Sequence, residues 1–190
     1  MHFLKSLLFP ALLTATLAPA AITPVAATAS AASAEAPQIT ATAETTLINN
    51  AGTAIGTASF MQGPRGILIS LSVEGLPPGK HGMHFHAVGE CAPLDTFKGA
   101  HGHIMPGNLP HGFFNADGPH AGNLPNLIVG ADGTAEVELY TNLLMLDQGD
   151  GKVLDEDGST LVIHANPDNH FAQPIGGSGG RIACGVITAR

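Results

Sequence analysis

Two histidines one residue apart, His84 and His86, are the residues of this chain whose type and spacing most directly suggest chemistry. In an extended strand successive side chains point to opposite faces, so these two imidazoles share one face and Met83 and Phe85 share the other. Two imidazoles on one strand, backed by apolar side chains, form half of a metal site, and imidazole suits copper and zinc. The alternative is a solvated strand face that carries two histidines by chance.

Most of the other histidines lie nearby in the sequence, since seven of the ten fall within residues 79–121. His164 ends a separate apolar run, where it is either a hydrogen-bonded core histidine or a third ligand from a neighbouring strand. Three more stand in a long loop at spacings of eight and nine residues, which match no helix or strand face. Loop histidines can still converge around an ion, and the three are His103, His111 and His120.

Short strands separated by turns are predicted to position these side chains. The 24 glycines and 14 prolines, with only 12% charged residues, favour strands and loops over long helices. Residues 89–124 and 166–180 lack a strand pattern, and loops of such length are usually functional or disordered. We predict an all-β fold, an eight-stranded antiparallel Greek-key sandwich or barrel with two long functional loops. The strands are the segment around His84 and His86 and residues 45–48, 55–60, 66–73, 126–129, 134–141, 160–165 and 181–188.

The first 35 residues have the composition of an export signal. Lys5 precedes an apolar run over residues 7–17, and small residues suited to cleavage follow. A retained membrane anchor is the alternative, but the run is short and contains Pro10, so no membrane span is expected after signal removal. The chain therefore divides into a signal peptide (1–35), a flexible Ala/Thr-rich tether (36–43) and a folded domain (44–190).

Charge and cysteine content narrow the function further. The formal net charge is −8 and no basic patch occurs, so nucleic acid is not an expected partner. An acidic protein repels anions on average, so an anionic substrate would need a local positive charge. Cys91 and Cys184 are the only cysteines. An even number suits an oxidising compartment, and two buried free thiols are the alternative.

Six ordered blocks resemble the bacterial secreted copper–zinc superoxide dismutases, over essentially residues 40–190. A single His-x-His is weak evidence, whereas six blocks in the right order are strong. The blocks are HGMHFH from His81, the Cys91 that follows it, GHIMP from Gly102, HAGNLPN from His120, LVIHA from Leu161 and GRIACGVI from Gly180.

The resemblance implies a role for each matching position. Cys91 and Cys184 match the family disulfide, and Arg181 matches the arginine that guides and holds superoxide beside the copper. Asp168 matches the carboxylate that links copper- and zinc-ligand histidines, a usual arrangement around ligand imidazoles; its alternative is an ordinary turn-capping aspartate. The implied copper ligands are His84, His86, His103 and His164, with His103 bridging to a zinc site completed by His111 and His120. His101 is expected to be only a loop neighbour of His103, and His81 to be structural.

One position departs from the family pattern, because Asn123 stands where the fourth zinc ligand is normally aspartate. A neutral amide oxygen is a poorer zinc ligand than a carboxylate, and the site loses one negative charge. Three outcomes remain open: the fourth ligand is water or the Asn123 oxygen, another carboxylate such as Asp117 moves in, or the zinc site stays largely empty.

The implied function is dismutation of superoxide to oxygen and hydrogen peroxide, as antioxidant defence in the periplasm or outside the cell. Copper cycles between redox states, whereas zinc is redox-inactive and shapes the site. The main alternative is a non-catalytic copper-binding or copper-delivery module on the same scaffold. Arg181 and His103 favour the enzyme, since storage needs neither an anion guide nor a proton relay. A third hypothesis is an adhesive β-sandwich with incidental histidines. Homodimer formation is left open by the sequence.

Overall fold

The computed structural model describes residues 38–190 of the chain. The predictions for the signal peptide and the first two tether residues lie outside this range. Regular structure within it consists of ten strands and three one-turn 3-10 helices, with none of it α-helical. The strands are β1 (Ala41–Asn49), β2 (Ala54–Gly63), β3 (Gly66–Val73), β4 (Gly79–His81), β5 (Met83–His86), β6 (Leu127–Val129), β7 (Ala135–Thr141), β8 (Thr160–His164), β9 (Arg181–Val186) and β10 (Thr188–Ala189); the helices are η1 (Pro93–Asp95), η2 (Lys98–Ala100) and η3 (Pro106–Asn108).

Eight strands form one curled antiparallel sheet in the order β5-β8-β9-β1-β2-β3-β7, with β10 paired to β1. A second, two-stranded sheet joins β4 to β6. Because β5 lies at the end of this order, one of its edges remains free for pairing with loops. The all-β antiparallel prediction is confirmed. No helix among residues 38–190 is long and apolar enough to cross a membrane.

Three details of the sequence prediction need correction. β1 begins at Ala41, so the last residues assigned to the tether belong to a strand, in which Thr42 pairs with Met61 and Ala43 is buried. Alanine and threonine look like linker composition, yet Ala43 packs in the core. The predicted strand 181–188 is interrupted at Ile187, whose amide bonds to Ser159 instead of the β1 ladder. β4 was not predicted, because prolines and glycines flank it.

The core explains why the His84/His86 strand is rigid. Met83 and Phe85 on its far side are fully buried, and the Phe85 ring lies 5.8 Å from that of Phe60 on β2. Burying a side chain of this size contributes roughly 1.5–3 kcal/mol to stability. The apolar residues of β5 thus anchor the strand to the sheet, while its histidines face the other way.

Candidate metal centre

The long loop reaches the histidines of β5 by pairing with the free edge of that strand. His86 forms an antiparallel bridge with His103, and His84 forms one with Asn123. Between them the Phe85 amide donates to Gly122 O at 2.9 Å, and the Phe85 carbonyl accepts from the Ile104 amide at 3.0 Å. Two loop segments far apart in sequence are therefore held beside one strand.

Four buried histidines converge at this edge, with ligand nitrogens within 4.8 Å of one another. Burial lowers the pKa of each, for His164 to about 4, because desolvation disfavours the charged imidazolium. All four are consequently neutral at pH 7 and carry a free nitrogen lone pair. They are His84, His86, His103 and His164.

The ring positions indicate which metal geometry the four histidines favour. The His84–His86 and His103–His164 ring centroids are each 6.3 Å apart, whereas the four other pairs lie between 3.9 and 5.5 Å. Two equal long distances and four shorter ones describe the diagonals and sides of a flattened square. A tetrahedron would make all six distances equal. Tetragonal nitrogen coordination is typical of Cu(II).

Hydrogen bonds fix which nitrogen of each ring remains available. His86 Nδ1 lies 2.8 Å from His101 O, and His164 Nδ1 lies 3.2 Å from Gly179 O, so each donates its proton to a carbonyl. The two remaining Nε2 atoms face each other at 3.3 Å. With both protons on Nδ1, two lone pairs meet there, an arrangement that a cation between them stabilises. The His84 Nδ1 atom is likewise buried without a hydrogen-bond partner.

A second group of three rings surrounds a neighbouring point. The His103, His111 and His120 centroids are separated by 5.2–5.6 Å, as expected for three corners of a tetrahedron, the geometry that zinc prefers. His103 Nδ1 and His120 Nδ1 are 3.1 Å apart, and His111 Nδ1 is buried without a partner. His103 therefore borders both groups of rings.

Asn123 lies beside the second group. Its side chain is buried, its Oδ1 has no hydrogen-bond partner, and its Nδ2 is 3.1 Å from His111 Nε2. An unpaired buried oxygen on a side chain that contacts His111 fits a weak fourth ligand. Asp117, the carboxylate considered as a replacement, is exposed on the loop.

Asp168 connects the two groups of rings. Its Oδ2 accepts hydrogen bonds from Nε2 of His84 at 2.6 Å and of His111 at 2.9 Å. Burial alone would raise the pKa of Asp168, but these two hydrogen bonds together with one from the His170 amide outweigh it and hold the pKa well below the usual range. His84, His111 and Asp168 also lie close enough to one another to enclose a metal ion. Because Nδ1 of both histidines stays unpaired, the contacts are better explained as hydrogen bonds that aim the rings at two other ions.

Two residues that support Asp168 are missing from the sequence prediction. Asn126 Oδ1 accepts from the Asp168 amide and its Nδ2 donates to the Asp168 carbonyl, both at 2.8 Å. A polar amide at the start of the predicted strand 126–129 was an available signal. Gly176 is the second, since a Cβ there would lie 2.1 Å from Asp168 Oδ1, so only glycine lets the loop pass.

Arg181 begins β9 and is half-buried at the rim of the four-histidine group. Its guanidinium donates from Nη1 to Phe97 O and from Nη2 to His101 O.

Cys91 and Cys184 are bonded to each other, as expected from the resemblance. The disulfide ties the beginning of the long loop to β9, the strand that carries Arg181. His81 places both ring nitrogens against main-chain carbonyls, those of His164 and Pro77, apart from the metal groups.

Comparison with known proteins agrees with this geometry. The copper/zinc superoxide dismutase (SODC) family matches residues 54–187. A Caulobacter vibrioides superoxide dismutase [Cu-Zn] is 45% identical over 139 residues, 72% of this chain and 79% of that protein. A superoxide dismutase-like protein from Bacillus subtilis has a crystal structure that superposes with a TM-score of 0.72 at 38% identity, covering 75% of this chain and 96% of that one. The copper/zinc superoxide dismutase from Brucella abortus gives a TM-score of 0.63 at 28% identity, covering 77% and 99%. The chain belongs to the copper/zinc superoxide dismutase family.

Proposed function

We propose that His84, His86, His103 and His164 hold the copper of this superoxide dismutase, which converts superoxide into oxygen and hydrogen peroxide. The observation that carries the assignment is the flattened square of four buried, neutral imidazoles with unpaired nitrogens. Copper bound there supplies a one-electron couple that accepts an electron from one superoxide and returns it to a second.

The protein controls the proton that this reaction consumes. Two superoxide ions and two protons give one oxygen and one hydrogen peroxide, so a proton carrier must stand near the copper ligands. His103 borders both groups of rings, so it is the ring placed to carry that proton beside the copper ligands. We assign Nδ1 to the zinc side, where it faces His120, and Nε2 to the copper side as the atom that carries the proton.

Arg181 supplies the positive charge that attracts the anion. The protein as a whole repels superoxide with its net charge of −8. A guanidinium fixed at the rim by two carbonyls concentrates positive potential where the substrate arrives. We therefore assign Arg181 as the residue that guides and holds superoxide.

Zinc is assigned to His103, His111 and His120, with Asn123 oxygen or water as a weak fourth ligand. Three nearly equidistant rings and the unpaired nitrogen of His111 support this set. Asp168 orients one ligand of each metal through a single oxygen. Zinc itself adds no redox step and holds His103 and the loop in place.

Export to the periplasm or the medium is the proposed location, with residues 1–35 as the signal. The disulfide supports it, because such bonds persist mainly in oxidising compartments.

A homodimer is proposed on the exposed side chains of Phe114 and Phe171, which are 78% and 62% exposed. Sedimentation of the mature protein tests the dimer, and a single monomer peak at micromolar concentration would reject it.

The decisive experiment measures copper, zinc and dismutase rate on one sample of purified, metal-replete protein. One copper and about one zinc per chain with high activity supports the full assignment. Copper with activity but little zinc means that the Asn123 site has decayed. Copper without activity favours the non-catalytic copper module instead. His164→Gln should remove both copper and activity while leaving zinc bound, since His164 belongs only to the four-histidine group.

A further inference from the structure

The segment between the disulfide and His103 contains an unusual concentration of left-handed backbone. Thr96, Phe97 and His101 have φ values of 58°, 60° and 60°. The ψ of His101 is −145°, which places it in a region that is essentially restricted to glycine. A β-carbon there is strained, and such strain persists only where surrounding contacts over-determine the backbone.

Arg181 supplies two of the contacts that oppose this strain. Arg181 donates one guanidinium nitrogen to the carbonyl of Phe97 and the other to the carbonyl of His101, the residues immediately before and after η2. Phe97 is fully buried, and the Cys91–Cys184 disulfide ties the same loop to the strand of Arg181. The planar fork of arginine suits two acceptors at fixed spacing, which a lysine cannot reproduce.

The carbonyl of His101 has a second donor, because it also accepts from His86 Nδ1 at 2.8 Å. This hydrogen bond keeps the proton on Nδ1 and leaves Nε2 free. The orientation of the His86 ring therefore depends on a peptide that is strained and that Arg181 restrains.

We infer that Arg181 and the strained peptide of His101 form a clamp that sets the orientation of His86. Arg181 is then a positioning residue for a copper ligand in addition to a charge that attracts the substrate. The inference rests on the proposed assignment of His86 to copper. Without the clamp, His101 relaxes toward an unstrained conformation and its carbonyl turns away from His86.

The test separates geometry from charge with Arg181→Lys, which keeps the positive charge but loses the fork. In the copper-loaded full chain, we expect a changed Cu(II) electron paramagnetic resonance spectrum and about tenfold faster copper loss to a chelator, the usual size of effects from groups that orient ligands. Adding His101→Gly to Arg181→Lys should restore both, because glycine adopts the conformation without restraint. An effect of charge alone would not be reversed by glycine at position 101, so rescue of the spectrum would identify the backbone geometry as the cause.

One further measurement is independent of the metal. Metal-free His101→Gly should melt about 2–4 °C higher than the parent, since released strain exceeds the entropic cost of glycine. Thr96→Gly is the matched control, because Thr96 also has a left-handed backbone but its carbonyl is not held by Arg181. The double variant Thr96→Gly/Arg181→Lys should show the same altered copper spectrum and copper-loss rate as Arg181→Lys alone.

An unchanged spectrum and copper-loss rate in Arg181→Lys would overturn the clamp. So would a double variant Arg181→Lys/His101→Gly whose spectrum and copper-loss rate are as altered as those of Arg181→Lys alone. Equal rescue by Thr96→Gly would also overturn it. Failure of the proposed function looks different, because the parent protein itself would then bind no copper or bind it without activity.

Discussion

The Nε2 atom of His84 lies 2.6 Å from Oδ2 of Asp168, with both side chains fully buried. The same oxygen accepts from His111 at 2.9 Å, so one carboxylate orients a proposed copper ligand and a proposed zinc ligand. A displacement at either ring is therefore transmitted to the other through a single atom.

Asp168→Asn should weaken both metal sites, because the amide lacks the charge that holds two imidazole N–H groups. We expect copper and zinc affinities to fall about 10–100-fold, measured by competition with chromophoric chelators. Asp155→Asn is the control, since Asp155 interacts with Asp157 and Lys152 outside the metal groups. Loss of affinity for one metal with the other untouched would contradict the coupling.

Asn123→Asp should strengthen the zinc site by restoring an anionic ligand of nearly the same size. Zinc affinity should rise at least about tenfold, whereas copper affinity should change little. Asn115→Asp adds the same charge to the same loop at a position outside the buried groups, and it controls for net charge. If the two variants raise zinc affinity equally, Asn123 does not contact zinc.

Arg181→Ala should slow dismutation and flatten its dependence on salt. Guidance by charge raises association rates by about 10–1,000-fold and is screened beyond ~10 Å at 0.1 M salt. The parent rate should therefore fall steeply with ionic strength, and the alanine variant should begin lower and stay nearly level. Arg181→Lys retains the charge and should keep most of the slope. Parallel salt curves for parent and alanine variant would remove the guiding role.

The metal-free protein should lose stability as the pH falls below about 6.5. The pKa of His164 is near 6.5 when unfolded, and burial lowers it to about 4 when folded. The unfolded state therefore binds this proton first, and stability that is complete above pH 6.5 declines down to pH 4. The contribution of this residue is roughly 3 kcal/mol at most. Melting curves across this range test it, and a flat profile from pH 7 to 4 would contradict buried neutral histidines.

Cys91→Ser/Cys184→Ser should destabilise the metal-free protein, since the bond closes a loop with a sequence separation of 93. Chain-entropy arguments put the loss at about 3–5 kcal/mol. Guanidinium unfolding of the parent with and without reductant provides the comparison. A change below about 1 kcal/mol would show that the folded contacts alone hold the loop to β9.

Local pattern was sufficient for much of this protein. Alternation along β5 placed His84 and His86 on one face and Met83 and Phe85 in the core, because side-chain direction in a strand follows directly from position. β3 was predicted to the residue, since Gly66 and the turn after Val73 delimit an uninterrupted apolar run. The six ordered blocks identified the family, which the comparisons confirm.

Tertiary structure decided what lies between those blocks. Nothing in the loop sequence shows that His103 pairs with His86 or Asn123 with His84, because bridges to the free edge of β5 join residues distant along the chain. The support of Asp168 by Asn126 and the two carbonyls held by Arg181 are contacts of the same kind. Sequence periodicity reports only which way a side chain points within its own element. Which loop packs against that side chain depends on unpaired backbone groups of another element, here the free edge of β5. The residue types of the site were therefore predictable from the sequence, whereas the mutual orientation of these residues was not.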